Sequence, residues 1–502
     1  MRILYLDIDT LRPDHLPCYG YERPTAPVIS QIAQEGVTFT ECYTSDSPCV
    51  PSRAALISGR FGIHNGVVTH WGAGATFHVP TIDSDWDQVY RSDLPLFPRY
   101  LRERGMHSVT ISSFADKHQA PWYTLGWGEV RQFTLKRGNE DAEEVVNCAL
   151  DWLQGHAAED NWFLHVHFWD PHKNYTMDPG WARPFAAWDP PAWPDAETLA
   201  THQDPAWGPG SAGDFWGWGD RRTSPVPTMP DAIRDVRDLK QLVDGYDGAI
   251  RYLDSQILRI LEYLQAARIL SDTAIIITSD HGESFGEHAL YAQHADAGTA
   301  VHHVPMIVRW PGCGGGIASS RLIYQQDIVP TIVDLLGFPV PEGWDFQSFG
   351  DVIAPRARSQ TYRDALVWGH GLYVCQRAVY WPPWFYIRTD HPGLFPWEKE
   401  QLYQVQADPH ETRDRSRVNP EVLERLRSRL TAWERRMLPD GQDDPMEAVM
   451  RVGGPYRYVK PEPWLRHLRA MGQTEVADRI TQRLLTLKDL PISQPTIRES
   501  MD

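Results

Sequence analysis

Short apolar runs alternate with longer stretches of helical period along most of the chain. The runs are Ile3–Ile8, Ser108–Ile111, Trp162–Phe168, Ala274–Thr278 and Pro305–Val308. They are too brief for buried helices and rich in β-branched and aromatic residues, so each predicts a buried parallel strand. Between and after them, helices are predicted over Pro27–Glu35, Ala54–Ser58, Leu96–Glu103, Asp141–Leu153, Asp244–Leu264 and Ile328–Leu336. In the longest, Ile250, Leu253, Ile257, Leu261 and Leu264 recur at three- and four-residue steps, the stripe of a helix buried along one face. This alternation predicts an α/β fold: a doubly wound, mainly parallel central sheet flanked by helices. Sheets of that kind carry their sites at the carboxyl ends of the strands.

Three regions break the alternation. Residues 173–234 hold Trp181, Trp188, Trp193, Trp207, Trp216 and Trp218 among many prolines and glycines, and are expected to form an insertion or lid. Residues 356–440 carry aromatic runs such as Ala378–Ile387, which predict a smaller antiparallel sheet, followed by a charged helix over Glu421–Met437. Residues 441–502 form a polar tail with one helical stretch near Thr474–Leu487. The expected organisation is a catalytic α/β domain over 1–355, a C-terminal subdomain over 356–440, and the tail.

Composition narrows the function. Of 502 residues, 42% are hydrophobic and 23% charged, which excludes disordered and fibrous classes. Lys and Arg total 48 against 66 Asp and Glu, a formal charge of −18 that argues against nucleic acid or an anionic membrane as partner. No apolar stretch is long enough to span a bilayer. Met1 stands directly before the first strand with no signal peptide ahead of it, so a cytoplasmic location is expected. The six cysteines are scattered, without the spacing of a disulfide framework or a zinc site.

One of them stands in a rare string, Ser47-Pro48-Cys49-Val50-Pro51-Ser52-Arg53. With a helix beginning at Pro51, Cys49 would sit just before a helix N-terminus, where free N–H groups favour anions. Arg53 would lie one turn inside and reach back. Two acidic groups follow strands: Asp7-Ile8-Asp9-Thr10 after the first, and Asp280-His281-Gly282-Glu283 after Ala274–Thr278. Carboxylates emerging from a buried strand end are costly unless they bind a cation.

At Cys49-Val50-Pro51-Ser52-Arg53 the chain resembles the formylglycine-dependent (type I) sulfatases of the alkaline-phosphatase-like superfamily, and the flanking resemblance covers roughly residues 1–440. The resemblance implies a hydrolase that splits a sulfate ester. Cys49 would be oxidised to formylglycine by a formylglycine-generating enzyme, and its hydrate would be the nucleophile, steadied by Arg53. One divalent metal, Ca2+ or Mn2+, would be held by Asp9, Thr10, Asp280 and His281 together with residue 49. His172 would stand at the leaving oxygen. Asn174 and Tyr175 beside it, and His70 after the nucleophile helix, would contact substrate.

The chain also departs from the family pattern. Thr10 stands where an Asp is common, His281 where many members have Asn, and His294 where a sulfate-binding Lys is usual. The family's Gly-Lys-Trp-His string is absent, and Lys117 or His118 is expected to substitute for it. Phosphonate monoester or phosphodiester hydrolysis is therefore the alternative chemistry, and a non-catalytic binding protein a more distant one. The Trp-rich insertion and His391–Trp397 predict aromatic surfaces at the mouth, suited to a sugar or aryl sulfate. The tail, which exceeds the family core, is expected to pack across a neighbouring subunit of a homo-oligomer.

Overall fold

In a computed structural model of the protein, residues 1–77, 95–217, 222–354, 362–438, 443–451, 454–455 and 461–486 are described. Trp218, the expected boundary at 355/356, Gly441 and Leu487 fall outside them. The strands used below are β1 (Arg2–Ile8), β2 (Val37–Phe39), β3 (Asp46–Ser47), β4 (His107–Ile111), β5 (Glu129–Arg131), β6 (Trp162–Phe168), β7 (Thr273–Ser279), β8 (Met306–Arg309), β9 (Ile317–Ser319), β10 (Leu366–His370), β11 (Cys375–Trp381), β12 (Trp384–His391) and β13 (Glu400–Gln404). The helices are α1 (Pro27–Gln34), α2 (Cys49–Ser58), α3 (Ala142–His156), α4 (Val236–Ala266), α5 (Ile328–Leu335), α6 (Pro420–Met437), α7 (Pro461–Ala470) and α8 (Thr474–Thr486).

The central sheet has the order β9-β2-β8-β7-β1-β6-β4-β5. β1 runs parallel to both β6 and β7, with Asp7 level with His167 and Thr278. β8 alone in the middle runs antiparallel, against β7 and β2. Alternation sorts the sheet into two faces. Leu4, Leu6, Ile8, Leu164, Val166, Ile275 and Ile277 enter the core beneath α1, α3 and α4. Ile3, Tyr5, Phe163, Ala274 and Ile276 enter the core on the other face, with α5. Asp7 and Asp9 continue that second face past the end of its apolar part.

The helices are held by local signals the sequence carries. Asp141 caps α3 in a full capping box with Glu144. α4 is longer than its clearest stripe predicts: Asp235 caps it and Leu239, Leu242 and Val243 are buried. Its first turns mix Asp, Arg and Lys with those apolar residues, which blurs the period.

The antiparallel sheet predicted after residue 356 exists, in the order β13-β12-β11-β10-β3. Its last strand comes from the N-terminal region, with His370 paired to Ser47 two residues before Cys49. The C-terminal sheet thus abuts the nucleophile segment. No disulfide joins the six cysteines, all of which lie among the described residues. No described helix is long and apolar enough to cross a membrane.

Two expectations for the C-terminal region need correction. Leu394, Phe395 and Trp397 are buried, so His391–Trp397 is no aromatic platform. Phe395 and Trp397 pack on Leu290, Ala295 and Val374 instead. The tail is also more than one helix. α7 and α8 pair through Trp464, Leu465, Leu468, Val476 and Ile480, and seat on Leu394 of the same chain. The apolar side chains that α7 and α8 bury among the described residues pack on their own chain. Leu468→Ala is expected to destabilise this hairpin by about 2–5 kcal/mol. Hydrogen exchange should rise across 461–486 and stay unchanged in β1 and β7; unchanged exchange in the tail would contradict the packing.

Candidate active site

The nucleophile segment leaves β3 and enters α2 at Cys49, two residues earlier than Pro51 predicts. Every residue of α2 is buried, so the helix runs through the molecule and not along its surface. Its first turn faces the ends of β1 and β7. The Cys49 Sγ lies 3.1 Å from Nε2 of His281. Ligand atoms of Asp9, Cys49, Asp280 and His281 all fall within 4.8 Å of one another.

Arg53 spans the carboxylates. Its Nε donates to Asp7 at 2.9 Å, and its Nη1 to Asp9 at 3.1 Å and to Asp280 at 2.5 Å. All four side chains are buried at 1% exposure or less. Its guanidinium also stacks 4.8 Å from the Phe114 ring. One guanidinium cannot balance three buried carboxylates. Burial raises the pKa of Asp9, but Arg53 and neighbouring imidazoles outweigh it, and the group is held below the usual carboxylate range. Asp280 goes the other way: burial, Asp9 and Asp7 together overcome Arg53 and push it up.

The donor set fits a divalent cation. Asp9 Oδ1 and Thr10 Oγ1 are buried without a hydrogen-bond partner. His281 Nδ1 faces the Gly282 carbonyl at 2.8 Å, so Nδ1 carries the proton and Nε2 keeps its lone pair for a ligand. Thr10 adopts φ 59°, a left-handed conformation unusual for a β-branched residue. It is pinned there: its N–H donates to Asp280 and its carbonyl accepts from the Tyr246 hydroxyl. Strain held so firmly between acidic residues is what a functional turn shows.

Five histidines cluster around the candidate site. His294 and His281 have ring centroids 4.5 Å apart, and His172 lies 5.5 Å from His294. Glu283 accepts from His294 Nδ1 at 3.2 Å, which leaves His294 Nε2 for the pocket. His172 Nδ1 donates to the Lys173 carbonyl at 2.5 Å, leaving its Nε2 likewise. His70 and His118 lie 4.9 Å apart, each with a buried, unpartnered Nε2. Burial depresses the pKa of both.

Lys117 and Tyr175 are not brought to this pocket. Lys117 is exposed, and its stem lies against Gly138. The His118 ring, by contrast, lies 4.6 Å from Phe114 and 6.0 Å from Trp169. The Tyr175 ring is fully buried in the main core against Tyr246, 5.8 Å away. Asn174 is half-buried beside them. Within the Trp-rich insertion, Lys173 places Nζ 4.4 Å over Phe215 and 4.3 Å over Trp216, both of which are buried. Elsewhere it packs down, Trp193 stacking on His410 at 3.8 Å.

Sequence reasoning missed several participants. His165 and His167 on β6 stand 3.3 Å from Asp7 and 3.5 Å from Asp9. Their two-residue spacing beside a paired strand was the available signal. Ser47 Oγ lies between His302 and His370 at 2.8 and 2.7 Å, beneath the nucleophile segment. Tyr373, at φ 67° on the β10–β11 turn, has its pKa pushed up to about 12 by burial and by Cys49.

The family model described as Sulfatase matches residues 2–338, well over half the chain. A second, N-sulphoglucosamine sulphohydrolase C-terminal, matches residues 286–436. The chain belongs to the sulfatase family, and is with it a sulfuric ester hydrolase.

An N-acetylglucosamine-6-O-sulfatase of Bacteroides thetaiotaomicron is 21% identical over 479 residues, covering 82% of this chain and 81% of the relative. Human iduronate 2-sulfatase is 23% identical over 417 residues, 70% and 71% of the two chains. Among solved structures, one described in complex with its substrate D-glucosamine-2-N,6-O-disulfate superposes with a TM-score of 0.68 at 18% identity, covering 89% of this chain and 99% of that one. The phosphonate monoester hydrolase of Agrobacterium radiobacter gives 0.68 at 20% identity, covering 87% and 96%. At such identities these structures establish the shared fold.

The pocket assignment is checked by a pair of variants. His118→Ala is expected to lower kcat/KM about 10²-fold, as loss of one anion-facing donor does. Lys117→Ala should stay within about twofold, as an exposed charge does. A larger loss at Lys117 than at His118 would reverse the assignment.

Proposed function

We propose that this sulfatase hydrolyses a carbohydrate sulfate ester through a formylglycine formed from Cys49, at a divalent metal held by Asp9, Thr10, Asp280 and His281. The observation that carries it is the Cys49 sulfur at 3.1 Å from His281 Nε2, inside the acidic cluster. Burial, Asp9 and Asp280 raise the thiol pKa, so an unmodified Cys49 is a poor nucleophile there. Oxidation to the aldehyde by a formylglycine-generating enzyme would replace the thiol with a hydrate bearing two hydroxyls, one to attack and one to release the product. The metal, Ca2+ or Mn2+ by its oxygen and imidazole donors, would lower the pKa of that hydroxyl and offset charge on the ester.

The chain's own residues divide the remaining work. Arg53 fixes Asp7, Asp9 and Asp280 in one plane of charge and keeps them from repelling apart. The unpartnered Nε2 atoms of His70 and His118 are placed to hydrogen-bond the oxygens of a bound anion. His294, oriented by Glu283, presents Nε2 beside the nucleophile in the role a lysine plays in the family pattern. His172 presents Nε2 for proton delivery to the leaving alcohol. A carbohydrate substrate is supported by the named activities of the relatives.

A second reading, phosphonate monoester hydrolysis, is favoured by two observations: Lys117 is exposed, and the fold matches a phosphonate monoester hydrolase. Rates on an aryl sulfate and on a phenylphosphonate monoester separate the two. The sulfatase reading predicts kcat/KM at least about tenfold higher on the sulfate, a difference of about 1.4 kcal/mol in transition-state binding. The reverse order would replace it with the phosphonate reading.

A further inference from the structure

The candidate active site uses the carboxyl ends of the strands. A second convergence of metal-binding side chains lies at their opposite, amino ends. His107 opens β4, level with Trp162 at the start of β6. His156 closes α3, and Glu159 follows in the turn that leads into β6. Ligand atoms of His107, His156 and Glu159 all lie within 4.8 Å of one another.

The outer nitrogen of each imidazole is committed to an acceptor. His156 Nδ1 lies 2.9 Å from the Trp152 carbonyl. A carbonyl only accepts, so Nδ1 holds the proton and Nε2 keeps its lone pair. His107 Nε2 lies 3.4 Å from Glu129, while its Nδ1 faces Glu159 at 4.0 Å. Glu129 is itself fixed by Arg131 and by the Trp152 indole N–H. Carboxylate or carbonyl behind each ligating imidazole is the arrangement that orients histidines toward a metal.

The rings are also held in place. Trp152 is fully buried. His156 stacks on it at 4.6 Å and 3°, and His107 meets it edge-on at 5.7 Å. The turn is anchored by the Glu159 N–H to His156 O, by Arg2 to Glu159 O, and by the His107 N–H to Asn161 O. Only the Glu159 side chain, 53% exposed, is left to move.

We propose that His107 Nδ1, His156 Nε2 and the Glu159 carboxylate bind a divalent transition ion of the Zn2+ type, with water completing the tetrahedron. Two imidazoles and one carboxylate suit zinc and its neighbours over calcium or magnesium. Bonds of about 2.0–2.1 Å place tetrahedral ligands about 3.4 Å apart, so the 4.0 Å between His107 Nδ1 and the exposed Glu159 carboxylate closes by a small movement of that side chain. The ion fastens the end of α3 to the starts of β4 and β6, and takes no part in the chemistry at Cys49.

The test is Zn2+ binding to full-length, metal-stripped protein by equilibrium dialysis and elemental analysis. Wild type is expected to hold one more equivalent of Zn2+ than His156→Ala, while Asp280→Asn keeps that equivalent. His156→Ala should turn over an aryl sulfate within about twofold of wild type. Glu159→Ala, at an exposed side chain that does not threaten folding, should weaken the same equivalent at least about tenfold. Equal zinc content and affinity in wild type, His156→Ala and Glu159→Ala would overturn the proposal. So would loss of all bound zinc in Asp280→Asn.

Discussion

The buried contact between Arg53 and the carboxylates of Asp7, Asp9 and Asp280 is the interaction around which the site is built. It joins two strands and a helix that are far apart in sequence. β1 delivers Asp7 and Asp9, β7 delivers Asp280, and α2 delivers both Arg53 and Cys49. Any shift of α2 relative to the sheet would leave charge buried and unpaired, which costs several kcal/mol. The ion cluster therefore sets the distance from Cys49 to His281. It also leaves an excess of negative charge, with Asp9 Oδ1 and Thr10 Oγ1 unpartnered, and that excess is the physical reason to expect a cation there.

The sheet supplies the geometry. Adjacent parallel strands in register bring Asp9 and Asp280 to the same level, and alternation puts Asp7, Asp9, His165 and His167 on one face. The opposite face is mainly apolar and carries the long helices. The smaller sheet is joined to this frame through β3, so Ser47 is held between His302 and His370 just ahead of the nucleophile. Hydrophobic burial thus fixes the frame, and the cost of buried charge fixes the chemistry within it.

Much of this was legible in the sequence. The short apolar runs marked the central strands because fully buried strands need no polar alternation. The Cys49–Arg53 string and the acidic groups after β1 and β7 marked the residues that converge in the candidate site. What was hidden depended on direction or on distant partners. Of the adjacent residues 117 and 118, the lysine ends exposed while the histidine ring packs on Phe114. Tyr175 follows the site in sequence but turns into the core. Leu394, Phe395 and Trp397 look like a surface platform until the tail helices and Leu290 cover them. His165 and His167 read as ordinary strand residues until β1 is placed beside them.

The central claim is that residue 49 in the working enzyme is an aldehyde and no longer a thiol. Mass spectrometry of the peptide containing Cys49, taken from protein whose sulfate-ester turnover has been measured, tests it directly. The account predicts that active protein carries formylglycine at position 49, and that specific activity rises in proportion to the converted fraction. Full activity in protein whose position 49 remains an unmodified cysteine would contradict it.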